Sequence, residues 1–322
     1  MSKKKALALE AGVKPKKNIF LRMLNQWDLQ ILVLPGILFL IVFSYIPMYG
    51  IIMGFQNYQI GDFPGISEWV GLKHFITLFQ HPDFAQVMIN TFGISGLKLL
   101  ICFPMPIIFA ILINELKNVH FKKAIQTISY LPHFISWVVA SMIMMDLLST
   151  DGGAVNDLLK NLGLIEKDIG FFSSGKYFWG MAVVSDLWKE IGWNSIIYIA
   201  AIAGVEVDMY EAADIDGATR IQKIWYITVQ SIKPTIVLLF IFTVGGMLNA
   251  NFDQIMMLTS QMTNSFLKSS ANVIDTFVYI LGLQEGRFSF ATAAGLFKSV
   301  CNFTLLMSAN WLAGKAGEQA LF

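Results

Sequence analysis

Charge is scarce in this chain. Asp, Glu, Lys and Arg make up 14% of its 322 residues, against 55% apolar residues, and mean hydropathy is +0.59. A soluble domain needs more polar cover than that, so a water-soluble globular protein is excluded. The net charge of +1 leaves no broad basic field for nucleic acid. Cysteine is nearly absent, with Cys102 and Cys301 far apart in apolar segments. Such a pair supplies neither a disulfide framework nor a metal site and reads as two buried small hydrophobes. The four histidines, His74, His81, His120 and His133, lack metal-ligand spacing. No G-x-x-x-x-G-K-[ST] phosphate loop occurs, so any ATP chemistry must be supplied by another chain. Internal repeats and low-complexity tracts are missing as well.

What the chain has instead is long apolar runs. Six spans are expected, at about 30–53, 88–114, 125–149, 177–204, 234–259 and 289–313, each near or above the roughly 20 residues that cross a bilayer. Only helices and closed barrels satisfy their backbone groups in lipid, and the runs lack the alternation of a barrel. The fold class is therefore an all-α integral membrane protein with about six transmembrane helices. Pro35, Pro47, Pro104, Pro106 and Pro132 imply kinks within the spans. Pro234 is expected to open the fifth, where a missing N–H costs little. Residues 1–29 form a basic leader ahead of a run too long for a signal-peptide core. The domain proper is then 30–322, beginning with an uncleaved first helix.

Lys and Arg set the orientation. With both termini inside, fourteen fall on the cytoplasmic side and six on the other. The two longer outer loops, roughly 54–87 and 150–176, are long enough to be functional or docked on something.

One cytoplasmic connection, 206–233, is polar and ordered in an unusual way. Glu211-Ala212-Ala213 is followed by Asp214-Ile215-Asp216, Gly217, an Ala-Thr-Arg triplet and ITVQSIKP ending at Pro234. Glycine permits a sharp turn between two short helices. The alanines allow close approach to a partner, and Glu211 offers it a carboxylate. A plain amphipathic loop would explain the composition but not the order. Asp214 and Asp216 also match an Asp-x-Asp metal pattern of glycosyltransferases. Residues two apart on a helix point to different faces, however, and no nucleotide-binding context surrounds them.

This segment resembles the EAA loop by which the membrane subunits of ATP-binding-cassette importers grip their ATPase. The resemblance extends through YIPMYGI (45–51), WVGLKHF (69–75), SYLPHFISWVV (129–139), WKEIGWNSII (188–197), VIDTFVY (273–279) and FATAAGLFKSV (290–300). It covers about residue 28 to the end and looks like a permease subunit of carbohydrate-uptake importers, in the branch tied to oligosaccharides and polysaccharide fragments. It implies a type I, MetI-like permease fold related to maltose-type permeases. Implied partners are a second homologous permease in a heterodimer, two ATPases, an extracellular solute-binding protein, the sugar and membrane lipid. No cofactor is implied for this chain, since ATP and Mg belong to the ATPase; the chain is not an enzyme. By the same resemblance Glu211, Ala212, Ala213, Asp216 and Gly217 dock on the ATPase. The family often has Leu-Pro where Val229-Gln230 stand here, which implies a less kinked second short helix, with Pro234 keeping the later stop.

Ionisable groups at membrane depth are functional candidates, here Lys98, Asp146, Asp186, Lys189, Glu190, Asp253 and Lys298. Lys189 and Glu190 also read as a local pair. Sugars present hydroxyl edges and apolar faces, so their sites combine polar and aromatic side chains. Asp186, Trp188, Lys189, Trp193 and Asn194, with Asn249, Asn251 and Asp253, are therefore expected to line a path, and Gln254 supplies a similar group on the fifth span; the competing role is hydrogen-bonded contact between helices. Gly245-Gly246 and Gly295 are expected to allow close helix packing. Trp311 reads as an interfacial anchor. An ion-driven transporter would predict inverted repeats and a carboxylate relay, and a polysaccharide-synthesis enzyme would need a catalytic constellation. Neither pattern is visible.

Overall fold

Twenty or so apolar residues in a row can hide their backbone only by coiling, and the elements that result are helices. The computed structural model describes residues 26–318 and residue 321, so nearly all of the expected leader lies outside the described residues. In chain order the helices are α1 (Trp27–Phe55), α2 (Lys73–Gln80), α3 (Phe84–Asn114), α4 (Val119–Phe134), α5 (Trp137–Leu147) and α6 (Ala154–Asn161). They continue with α7 (Phe178–Ala203), α8 (Val207–Ile215), α9 (Arg220–Gly245), α10 (Phe252–Leu258), α11 (Ser265–Ala271), α12 (Ile274–Gln284) and α13 (Phe288–Lys315).

Among the described residues α1, α3, α9 and α13 are long and apolar enough to cross a membrane, and the pair α4–α5 makes five if counted as one bent span. α7 has 26 residues, roughly 39 Å at 1.5 Å per residue, and coincides with the expected fourth span, but it carries Asp186, Lys189 and Glu190. Three of the prolines act where expected. α3 breaks at Cys102-Phe103 just before Pro104 and Pro106, and Pro132 begins the tight turn that closes α4. Between α4 and α5 the chain bends by 105°, and Ser136 restarts the helix by accepting from the Val139 amide.

The expected fifth span, 234–259, is not one helix. α9 starts much earlier, at Arg220, and passes through a π turn at Ile224–Thr228. Pro234 lies in its interior, neither opening the helix nor stopping it. The helix ends at Gly245-Gly246 instead, and the chain runs irregularly to Asn251, whose φ of 67° is left-handed. Two glycines followed by Asn249 and Asn251 favour leaving the helix. Apolar continuity had suggested helical continuity, and α10 resumes only after the break.

Glycines set how closely the long helices cross. A Cβ on Gly245 would strike Leu306 of α13, and one on Gly192 of α7 would strike the Ser129 backbone of α4. Gly295, expected to do the same, faces open space. The main core joins Ile94, Phe178, Ala182, Ile255, Leu258 and Leu267 from α3, α7, α10 and α11. A second joins Leu78, Ile274, Phe277 and Phe290 from α2, α12 and α13. By contrast the apolar stretch of α1 is covered by nothing among the described residues, a surface of the kind that lipid or another subunit covers.

The expected outer loops carry structure of their own. In the first, Phe55 stacks on Trp69 at 5.8 Å and the Tyr58 amide donates to Ser289 Oγ of α13 at 2.9 Å. His74 Nε2 lies 3.0 Å from the Gln56 carbonyl, and burial lowers the pKa of its imidazole below the usual value. In the second, Asn156 of α6 bonds the backbone of both Ser149 and Ile169.

Candidate functional site

The polar segment between α7 and α9 is built from local rules. α8 ends with Gly217 at φ 73°, which a residue with a Cβ adopts at a cost. The Ala218 amide then donates to Ala213 O at 2.9 Å and the Gly217 amide to Asp214 O at 3.2 Å, the Schellman pattern of helix closure. α9 opens at once with a capping box: Thr219 N donates to Gln222 Oε1 at 2.7 Å, and the Gln222 amide returns to Thr219 Oγ1. The expected turn at Gly217 is therefore present, but its second arm is the head of the long helix α9 and not a separate short helix.

Glu211, Ala212, Asp216 and Gly217 are exposed and Ala213 is half-buried. Ile215 and Ile221 are exposed to 87% and 78%, a bare apolar surface of the kind a partner covers. Ala213, Asp216, Gly217, Ala218 and Tyr226 help line a concavity of about 270 Å³ beside it. Asp214 pairs with Lys223 at 2.7 Å and Tyr210 bonds Thr228 at 2.9 Å, so α8 is fastened to the start of α9. Arg220 grips Glu115 at the end of α3, using Nε on the carboxylate and Nη2 on the carbonyl, the latter at 2.6 Å.

A second feature is a cavity of about 370 Å³ walled by α3, α7, α9 and the irregular 246–251 stretch. Four of the residues expected on a path line it: Asp186, Asn194, Asn249 and Asn251. The structure places the other four elsewhere. Lys189 is buried and donates to the His133 carbonyl at 2.7 Å and to Glu190 at 3.1 Å, which realises the local pair. Trp193 stacks on His133 at 4.1 Å with the rings nearly parallel. Both hold the α4–α5 bend against α7. Trp188 is half-buried, and Asp253 is exposed on the first turn of α10, where a carboxylate suits the helix N-terminus.

The cavity's charged centre joins Asp186, expected on the path, to Lys98, which the sequence marked only as a lysine in an apolar run. Lys98 Nζ stands 3.1 Å from Asp186 Oδ1, 2.6 Å from Gln254 Oε1 and 3.4 Å from the Ala250 carbonyl. Gln254 in turn donates to Ala182 O and Ser185 Oγ at 2.6 and 2.8 Å. Asn251 donates to Asp186 at 3.3 Å. The unwound stretch thus lies where polar side chains can satisfy it, the condition for irregular backbone at membrane depth. Lys298 is paired likewise, with Asp275 of α12. Among the described residues no group of three His, Cys, Asp or Glu could hold a metal ion.

Residues 103–316 match the family described as the inner membrane component of binding-protein-dependent transport systems. The chain belongs to that family. This permease is 41% identical over 309 residues to the polygalacturonan/rhamnogalacturonan transport system permease YteP of Bacillus subtilis (strain 168), covering 95% of this chain and 94% of that protein. It is 30% identical over 301 residues to the arabinooligosaccharide permease AraP of Halalkalibacterium halodurans, covering 90% and 89%. A crystal structure of a bacterial ABC transporter that imports the acidic polysaccharide alginate superposes with a TM-score of 0.83 at 37% identity, covering 93% of this chain and 99% of that one. A second, with a periplasmic protein bound to an alginate pentasaccharide, gives 0.85 at 37% identity, covering 95% and 100%. The permease is a multi-pass membrane protein and a transport subunit, not an enzyme; ATP hydrolysis belongs to a separate partner.

Proposed function

We propose that this permease forms half of the path of an ATP-driven importer for an oligosaccharide or polysaccharide fragment delivered by an extracellular binding protein. The observation that carries the reading is the Glu211–Pro234 segment: an exposed helix, a left-handed glycine and a capped restart that runs directly into the membrane helix α9. Glu211, Ala212, Ala213, Asp216 and Gly217 dock in a cleft of the ATPase, which uses ATP and Mg while this chain holds no cofactor. A second homologous permease completes the path as a heterodimer and covers apolar faces such as α1. Both termini are cytoplasmic.

The polar cavity supports a hydroxyl-bearing cargo. Its amides and carboxylate suit sugar hydroxyls, while Lys98 is already neutralised by Asp186. The relatives' named cargoes include both acidic and arabinose-based saccharides. Alternating access then works by population shift, with ATP binding and the loaded binding protein favouring the same outward-open state. The test is uptake of labelled oligogalacturonides, alginate oligomers and arabino-oligosaccharides by the permease reconstituted with its neighbouring permease, ATPase and binding protein. Uptake of one class, abolished by a hydrolysis-dead ATPase, is expected. Uptake that survives loss of hydrolysis would overturn the reading.

A further inference from the structure

The cavity has two walls that stand in different relation to the coupling segment. α9 is the same helix as the segment's second arm, so Leu239 and Thr243 in the cavity wall move with it directly. α3, which supplies Lys98, is a hundred residues away in sequence and meets α9 through apolar contact alone along its length: Ala110 and Ile111 share a cluster with Ile232 and Ile236, and Phe103 lies 5.4 Å from Phe240. We infer that the Arg220–Glu115 contact is the clamp that keeps α3 from sliding along this non-directional apolar contact, so that both walls respond to the ATPase together. The inference rests on the coupling role proposed above.

Three observations support it. First, the segment is stiff. The Schellman closure, the capping box, Lys223–Asp214 and Tyr210–Thr228 tie α8 to the head of α9, so a push on the exposed face displaces Arg220 as part of one body. Second, the grip is oriented. Arg220 holds both the side chain and the main-chain carbonyl of Glu115, and a planar guanidinium held at two points transmits direction where a point charge would swivel. Glu115 caps α3, so the contact acts on an end-of-helix carbonyl that has no intrahelical partner. Third, the receiving element leads to the cavity. The Pro104–Asn114 half of α3 packs along α7, which carries Asp186, and Lys98 lies just beyond the Cys102-Phe103 break. The other long-range pair on α9, Lys233 with Glu318 at 2.5 Å, leads to the end of α13, which does not line the cavity.

Arg220 is 62% exposed and Glu115 26%, and exposed pairs add little to stability. A purely structural role and a coupling role therefore separate experimentally. The variants are Arg220→Gln, Glu115→Gln and the reversed pair Arg220→Glu with Glu115→Arg, each in the reconstituted complex. Expected is a several-fold rise in ATP hydrolysed per saccharide imported in either single variant, with ATPase co-purification and melting midpoint unchanged. The reversed pair should recover part of the coupling. Unchanged coupling in the single variants, no recovery on reversal, or a loss of ATPase association in Arg220→Gln would each overturn the link. Failure of the wild-type complex to couple uptake to hydrolysis would instead overturn the proposed function.

Discussion

Lys98 shows how much one buried charge can organise. Its ammonium and Asp186 are 14% and 16% exposed, and the desolvation of both is offset by Gln254, Asn251 and the Ala250 carbonyl. Removing one partner leaves the other uncompensated. Lys98→Met is expected to lower stability by about 3 kcal/mol, and adding Asp186→Leu should recover most of it; thermal unfolding in detergent checks both. At Gly217 the cost is conformational. Gly217→Val places a β-branched residue at φ 73°, at roughly 1–2 kcal/mol, and should weaken ATPase co-purification without changing saccharide affinity of the binding protein. His74 gives a pH signature. Its folded pKa is lowered from 6.5, chiefly by burial, so the unfolded chain binds the proton more readily. That contribution is full above the unfolded value and is lost as pH falls through the folded one. The wild type should lose stability on acidification below about 6.5, and His74→Gln should lose less.

Helices rather than residues decide where the path can open. α9 joins the exposed turn at Gly217 to the cavity wall as one element, and its end at Gly245-Gly246 creates the polar break at 246–251. The same Gly245 brings α13 close through Leu306. Gly245→Ala should therefore destabilise by about 1–3 kcal/mol through overpacking. Gly295→Ala, in open space inside α13, should be neutral or stabilising by up to about 1 kcal/mol. Melting the two variants side by side in one detergent tests the contrast. Equal losses would contradict the assigned packing of α9 on α13.

On the scale of the whole molecule, the apolar stretch of α1 and the exposed surface at Ile215 and Ile221 are left bare among the described residues. Both are faces for neighbours, lipid or a second permease on the one and an ATPase on the other in the proposed assembly. Orientation has a direct test. In a background without Cys102 and Cys301, Lys315→Cys should react with an impermeant maleimide only after the membrane is opened, and Lys160→Cys should react from outside. The reverse pattern would overturn the proposed topology.

The sequence by itself determined the class of this protein, because the deciding information is local. Continuous apolar runs demand helices in lipid whatever surrounds them, and the order Glu211-Ala212-Ala213 to Gly217 carries its own turn chemistry. Prolines 104, 106 and 132 likewise marked real breaks. Only the tertiary structure decided the rest. Pro234 sits inside a helix, a Cβ on Gly295 would meet nothing among the described residues, and four of eight expected path residues lie away from the cavity. Hydropathy cannot tell a polar residue that faces a cavity from one that pins a bend, as Asp186 and Lys189 show three positions apart on α7. Nor could it pair Lys98 with Gln254 or Arg220 with Glu115, more than a hundred residues distant in each case. Those partnerships arise when helices meet, because a buried charge must be satisfied by whatever its neighbours bring.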